Sequence, residues 1–338
     1  MMKKIIFICL LFAFFLPGLC FAAQPDGTLT FTLKPTVEKD SKKIDLWVPY
    51  PMSDEFQTIS NISVTGNYET RAIYRDPGSE AVYLHVTWNH PTKQPECIMQ
   101  FHISQKDRRN KEIKESASEY PEIVSRYMGP TPFIPANDLE IQQIAIKATE
   151  GKKGTLEKAQ GIYDWVVENT FRDPAVKGCG LGLPLRTLKK FKGGGKCADL
   201  SAVFVTIARA AGIPARDIYG LRLGSPKDGD VTSGFHCWAE FYLPGTGWVM
   251  VDPADVRKMM LVHKLELDNP DTDDWRAFFW GGDDLFRLTL EKNSRGVHLN
   301  GANEVVPYFM YPAAQVDGKM LDYFDAKSFT YQVTFKMD

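Results

Sequence analysis

The run Gly193-Gly194-Gly195-Lys196-Cys197 leads straight into an amphipathic segment, and no other stretch restricts the fold of this chain as tightly. Leu200, Val203, Phe204, Ile207, Ala208 and Ala211 recur at three- and four-residue steps, the period of a helix with one buried face. Gly212 can close that helix in a left-handed cap, and Pro214 blocks its continuation. Cys197 therefore falls at the helix N-terminus. Stepping the stripe back three residues from Leu200 turns its side chain toward the protein. Unpaired N–H groups and the helix dipole favour negative charge at this end, and the thiolate is the reactive form of cysteine. The glycines leave room for a substrate backbone, and the Cys197 N–H can face an oxyanion. Asp199, in the first turn, suits the dipole but opposes a thiolate, so it reads as a cap or structural residue.

Beyond the helix, Ile218 to Leu223 reads as a strand, and Phe235 to Leu243 as a second one rich in aromatic residues. Alternation puts His236, Trp238 and Glu240 on one face and Cys237 on the other, which argues against Cys237 sharing a site with His236. Pro244-Gly245-Thr246-Gly247 is a turn, Trp248 to Asp252 the return strand, and Pro253 its end. If Leu243 pairs with Trp248, Asp252 faces away from His236. A shift of one residue puts Trp238 opposite Asp252 and makes His236 and Asp252 diagonal neighbours. The shifted register is predicted. A cysteine on a helix end, a histidine on a strand and an aspartate on the next strand meet a general need: the nucleophile takes a base, and the base takes an orienting partner. Each residue alone has a plainer reading, as core hydrophobe, satisfied strand histidine and turn former.

Gly195-x-Cys197-x-Asp199, the helix ending Ala211-Gly212-Ile213-Pro214-Ala215-Arg216, then His236-x-Trp238-x-Glu240, then Gly247-Trp248-Val249-x-Val251-Asp252-Pro253, resembles the transglutaminase-like superfamily of papain-like cysteine enzymes in order and spacing. The likeness covers about residues 155 to 255. It implies an α+β fold whose core packs the nucleophile-bearing helix on an antiparallel sheet, with Cys197 as nucleophile, His236 as base and Asp252 as orienter. The whole chain is similar to bacterial secreted members that carry an N-terminal β-domain. The implied chemistry is acyl transfer at an amide bond of a peptide or protein substrate, with hydrolysis by a protease or amidase as the first expectation. Transamidation, which cross-links proteins, is its enzymatic alternative; a non-catalytic peptide-binding or scaffold module is the alternative of another class. The second oxyanion donor stays open among Tyr163, Trp165 and Asn169.

The rest of the chain is read around this segment. Lys3 and Lys4, the apolar run Ile5 to Leu16, Pro17-Gly18 and the small residues Ala22 and Ala23 form a secretory signal over residues 1–23, cut after Ala22 or Ala23. Cleavage at Cys20 for a lipid anchor fits less well, because Leu19 is large. Export to the periplasm or medium is expected, with no membrane span in the mature chain. Removing the two lysines takes the net charge from −2 to −4, and no basic stripe marks a nucleic-acid site. Cys97, Cys179, Cys197 and Cys237 remain, with disulfide, free-thiol and regulatory roles open for Cys179. No Cys-x-x-Cys spacing suggests a metal, and the acidic cluster Asp268, Asp271, Asp273 and Asp274 reads as a solvated loop rather than a calcium site; no cofactor is expected.

Alternation such as Ile44, Leu46, Val48 and Val82, Leu84, Val86 marks a β-sandwich over residues 24–110. A charged and proline-containing linker follows over 111–136, then the catalytic core over 137–260. Thr155 is the expected cap of a helix carrying Ala159, Ile162, Tyr163 and Val166. Residues 256–300 read as polar and loop-rich. The segment 261–338, ending in the alternating Phe329, Tyr331, Val333 and Phe335, is expected to add strands to one of the sheets.

Overall fold

The computed structural model describes residues 26–106, 112–224, 228–282 and 286–338; the expected signal at 1–23 lies outside them. Six strands come first: β1 (Gly27–Pro35), β2 (Lys43–Pro49), β3 (Gln57–Gly66), β4 (Thr70–Arg75), β5 (Val82–Asn89) and β6 (Cys97–Gln105). Alternation in sequence becomes alternation in space. Leu29, Phe31 and Leu33 of β1 are buried, while Thr28, Thr30 and Thr32 between them are only partly covered. β2 is buried on both faces, because Ile44, Leu46 and Val48 enter one core and Trp47 enters a second, with Tyr83, Leu299 and Phe309.

The chain continues through α1 (Leu139–Ala148), α2 (Gly154–Asn169), β7 (Phe171–Arg172), β8 (Gly194–Gly195), α3 (Cys197–Ala210), β9 (Ala215–Arg222) and β10 (Gly229–Asp230). Next come β11 (Phe235–Leu243), β12 (Gly247–Val251), α4 (Pro253–His263), α5 (Pro270–Phe278) and β13 (Arg287–Lys292). The last strands are β14 (Arg295–Val297), β15 (Val306–Tyr308), β16 (Ala313–Val316), β17 (Lys319–Met320) and β18 (Phe329–Met337).

Two five-stranded sheets, ordered β10-β18-β1-β6-β3 and β17-β16-β2-β5-β4, face each other as a sandwich. A four-stranded sheet, β12-β11-β9-β13, follows as a separate layer. The fold is α+β, and one of its hydrophobic clusters runs across both parts: Phe31, Leu46 and Phe101 of the sandwich belong to the same buried cluster as Cys197, Tyr219 and Cys237. The C-terminal segment reaches further than one sheet. β13 joins the core sheet, β16 and β17 join one face of the sandwich, and β18 pairs with β1 from Gly27↔Met337 to Pro35↔Phe329.

α3 packs against β11, β9, α1, α2 and α4, and every residue from Cys197 to Arg209 is buried. Each fully buried Phe204- or Ile207-sized side chain stabilises such a helix by about 1.5–3 kcal/mol. Gly212 ends it with φ +77°, the expected left-handed cap. α2 is capped differently from expectation. Thr155 does not cap it; the Glu115 carboxylate, from the charged run before it, accepts the N–H groups of Thr155 at 2.6 Å and Leu156 at 3.1 Å. A carboxylate has two oxygens and favours the positive end of the dipole, so it outcompetes a lone hydroxyl.

The segment after the return strand is not loop-rich. Asp252 caps α4 with Pro253 in its first turn, and Asn269 caps α5 with Pro270 in its first turn. Asp271 and Asp273 are then first-turn acids of α5, facing the helix dipole, rather than members of a solvated loop. Among the described residues, no helix is long and apolar enough to cross a membrane.

Candidate active site

Three elements converge on Cys197. β7 and β8 pair in parallel, Phe171 with Gly194 and Arg172 with Gly195, and deliver the chain to the start of α3. Gly193, at φ +89°, passes so close to the Asn169 carbonyl that a Cβ could not be accommodated. Asp199 then fastens the approach. Its Oδ2 accepts the Lys196 N–H at 3.1 Å, and its Oδ1 accepts those of Leu181 at 3.0 Å and Gly182 at 2.9 Å. Asp199 is thus the structural clamp of this corner. The Ala198 N–H is used by the Cys179 carbonyl at 2.9 Å, which lays the 177–182 loop across the helix end.

The β11–β12 hairpin adopts the shifted register: Leu243 pairs with Gly247, Tyr242 with Trp248 and Ala239 with Val251. Asp252 follows as the N-cap of α4, and its Oδ2 lies 2.7 Å from His236 Nε2. Both residues are fully buried. His236 Nδ1 is buried and, among the described residues, has no hydrogen-bond partner. The structure therefore holds the imidazole by one nitrogen and leaves the other free.

The charges around His236 go beyond the predicted pair. Arg287 of β13 donates through Nη1 to Asp252 Oδ2 at 2.6 Å and through Nη2 to Asp255 Oδ2 at 3.0 Å. Arg222 of β9 donates to both Asp255 oxygens, at 2.6 and 2.5 Å, and Asp255 Oδ2 lies 3.5 Å from His236 Nε2. Two carboxylates and two guanidiniums balance, so the network is neutral when His236 is neutral. Burial alone depresses the His236 pKa and Arg222 opposes its charge, but Asp255 and Asp252 outweigh both and raise it. Burial pushes Asp255 up, yet His236, Arg222 and Arg287 hold it well below the usual carboxylate range. Sequence reasoning missed Asp255, Arg222 and Arg287. Asp255 had a signal: Asp252-Pro253-Ala254-Asp255 is a helix start with an acid at its third position, and the Asp255 N–H donates to Asp252 Oδ1 at 2.9 Å.

Cys197 is 1% exposed and does not sit alone. The thiols of Cys179, Cys197 and Cys237 lie within 4.8 Å of one another, all buried, and all three are free. The expectation that Cys237 stays apart from the site is overturned. Alternation does send Cys237 and His236 to opposite faces, but consecutive Cα atoms are only about 3.8 Å apart, so a thiol beside the first residues of β11 reaches both. Burial raises the Cys197 pKa, but Cys179, Cys237 and His236 outweigh it and hold the thiol well below its ordinary value. Burial raises Cys237, and its two thiol neighbours raise it further. Cys197 is the thiol of the three on which negative charge settles. Cys97 stands apart between the sandwich sheets, where burial pushes it up to about 12.

The proposed oxyanion donors are engaged elsewhere. The Tyr163 hydroxyl donates to the Arg276 carbonyl at 3.0 Å, Asn169 Nδ2 to the Trp165 carbonyl at 2.8 Å, and Trp165 packs against the helical core. A cleft of about 570 Å³ reaches the corner through Gly180 and Asp199, lined also by Lys177, Leu181, Arg186, Phe191, Tyr323 and Phe324.

A family model described as the Transglutaminase-like superfamily matches residues 142–253, the stretch that contains this corner. A Haemophilus influenzae protein, itself uncharacterised, is 34% identical over 91% of this chain and 90% of its own length. The chain belongs to the transglutaminase-like superfamily. A second uncharacterised protein, YebA of Bacillus subtilis, is 26% identical over 43% of this chain and 21% of its own length. Among solved structures, one from Cytophaga hutchinsonii, described as a candidate cysteine protease, superimposes with a TM-score of 0.52 at 14% identity, covering 92% of this chain and 98% of that one. At that identity the likeness bears on the fold alone. It extends beyond the superfamily core to the sandwich, so the two parts form one shared architecture.

Proposed function

We propose that this transglutaminase-like protein is an exported cysteine hydrolase of amide bonds, a protease or amidase of the cell envelope, with Cys197, His236 and Asp252 as its triad. The observation that carries the reading is the division of labour at His236. Nε2 is held by Asp252, Nδ1 is left unpaired, and the adjacent Cys197 is the one clustered thiol whose pKa is lowered. In the reaction the Cys197 thiolate attacks the carbonyl carbon, and a C–S bond forms. The C–N bond breaks as His236 gives its proton to the leaving amine. Water then attacks the acyl-enzyme, His236 takes its proton, and the C–S bond breaks to release the acid and restore the thiolate. Asp252 keeps the imidazole oriented and favours its charged form. Export rests on the leader-like residues 1–23.

The test is the pH dependence of Cys197 alkylation, read by mass spectrometry of its peptide. The wild-type thiol is expected to react well below the ordinary thiol pKa of about 8.5, and His236→Ala to move the midpoint up toward it. Two ordinary titrations would sink the reading. Once a reactive thiol is established, peptide amides are screened with and without an added primary amine. Only a transamidase makes a new amide to that amine, and the hydrolase reading predicts free acid alone.

A further inference from the structure

We propose that Cys179, Cys197 and Cys237 form a binding site for one soft monovalent metal ion, Cu(I), which occupies the nucleophile when it binds.

The three sulfur atoms come from three separate elements, the loop before β8, the start of α3 and the strand β11, yet lie within 4.8 Å of one another. An ion bound by all three at ordinary metal–sulfur lengths of about 2.3 Å needs sulfurs roughly 4 Å apart, within a small adjustment of this arrangement. The fourth neighbour is also sulfur: Met310 Sδ lies 3.7 Å from Cys237 Sγ and is fully buried. Thiolates and thioethers select Cu(I), whereas a catalytic or structural zinc site normally completes its tetrahedron with imidazole, carboxylate, water or a fourth thiolate. Three buried sulfurs this close suit Cu(I), which needs no fourth strong ligand. The other ligand-like cluster, His236, Asp252 and Asp255, is already neutralised by Arg222 and Arg287.

The surroundings hold the ligands in place. The Cys179 thiol is directed at the Phe235 carbonyl at 3.3 Å, and the Ser201 hydroxyl lies 3.5 Å from the Cys237 carbonyl. The cleft is lined by Gly180 and Asp199, one and two residues along the chain from Cys179 and Cys197. Binding is proton release without redox chemistry. Cys197 ligates as the thiolate, its proton already on His236, and Cys179 and Cys237 each release one proton to solvent. The site stands on the sulfur geometry alone; that it silences catalysis rests on the function proposed above.

The purified full-length chain, reduced and then freed of reductant under anaerobic conditions, is titrated with Cu(I) in the presence of bathocuproine disulfonate as a competing chelator. Copper per chain is measured for wild type, Cys179→Ala, Cys237→Ala and Cys97→Ala. We expect wild type and Cys97→Ala to retain about one equivalent more than Cys179→Ala or Cys237→Ala, with the apparent affinity of those two reduced at least tenfold. X-ray absorption of the wild-type complex should show sulfur ligands only. Circular dichroism confirms that the variants are folded, and Met310→Leu, which keeps the thiols, should retain the equivalent with weakened affinity. Equal retention by all variants, or nitrogen and oxygen ligands in the absorption spectrum, overturns the site. Copper binding without any loss of Cys197 reactivity toward iodoacetamide also overturns it, since the ion would then not engage Cys197. None of these readouts needs a substrate, so the site and the proposed hydrolysis can fail separately.

Discussion

At the scale of single residues, the site is governed by a buried charge network rather than by three side chains. Asp255 is the residue through which Arg222, Arg287 and His236 communicate. Asp255→Asn would take a shared partner from the buried Arg287 and the half-buried Arg222, and breaking a buried pair such as Arg287–Asp255 costs about 3–5 kcal/mol. Urea unfolding should show that loss, and an effect below 1 kcal/mol would mean that solvent reaches the arginines. Because the folded Asp255 pKa is depressed, its stabilisation is present above the unfolded carboxylate value of about 3.9 and is lost as pH falls through the folded one. The difference between wild type and Asp255→Asn should therefore shrink in acid. His236 has the opposite sign. Its folded pKa is raised, so its contribution is full below about 6.5 and disappears as pH rises through the folded value. Asp252→Asn removes a charge that favours the imidazolium, so the His236 midpoint, followed by NMR of the imidazole, should move to lower pH. An unchanged or higher midpoint would remove Asp252 from its assigned part. Cys197, His236 and Asp252 were legible in sequence because each sits at a readable place, a helix start, a strand and a strand end. Arg287 was not legible: it arrives from a strand 35 residues beyond Asp252, and nothing local marks it.

At the scale of elements, what fixes Cys197 is the clamp between the 177–182 loop and the start of α3. Asp199→Ala deletes an acceptor shared by three backbone N–H groups, of which that of Gly182 is buried. The expected cost is about 1–3 kcal/mol in urea unfolding. The same variant should blur the Cys197 alkylation profile, since the loop carrying Cys179 loses its anchor. Asp199→Asn keeps an oxygen and should recover part of the stability. If both variants match wild type, the clamp is incidental. The hairpin register was legible here because a one-residue slip exchanges faces, and only one choice lets His236 meet Asp252. α4 and α5 were missed for a physical reason. Their caps, Asp252-Pro253 and Asn269-Pro270, look like strand and loop terminators, and Pro serves both roles because it fixes φ and lacks an N–H.

At the scale of the whole molecule, the sandwich and the transglutaminase-like core share the buried cluster that holds the three thiols. The alternation of β1 and β2 announced the sandwich, but the pairing of β18 with β1 joins residues about three hundred positions apart, beyond any local pattern. That long return brings Tyr311, Tyr323 and Phe324 over the loop that carries Cys179, with ring centroids 4.5–4.9 Å apart. Phe324 lies against Gly178, which at φ +56° has no room for a Cβ, and Lys177 reaches Asp322 at 2.7 Å beside it. Tyr323 and Phe324 of this stack line the cleft and Cys197 is 1% exposed, so a reagent coming from this side would have to displace them. Phe324→Ala should lower the cost of opening by about 1.4 kcal/mol, which is tenfold in rate, and raise Cys197 alkylation by a bulky maleimide accordingly. Breaking the exposed Lys177–Asp322 pair with Asp322→Ala should change the rate much less, because a surface ion pair contributes only about 0–1 kcal/mol. If Asp322→Ala accelerates labelling as strongly as Phe324→Ala, the loop and not the aromatic stack sets the barrier. If neither does, access to Cys197 lies on the other side, past β7 and β8.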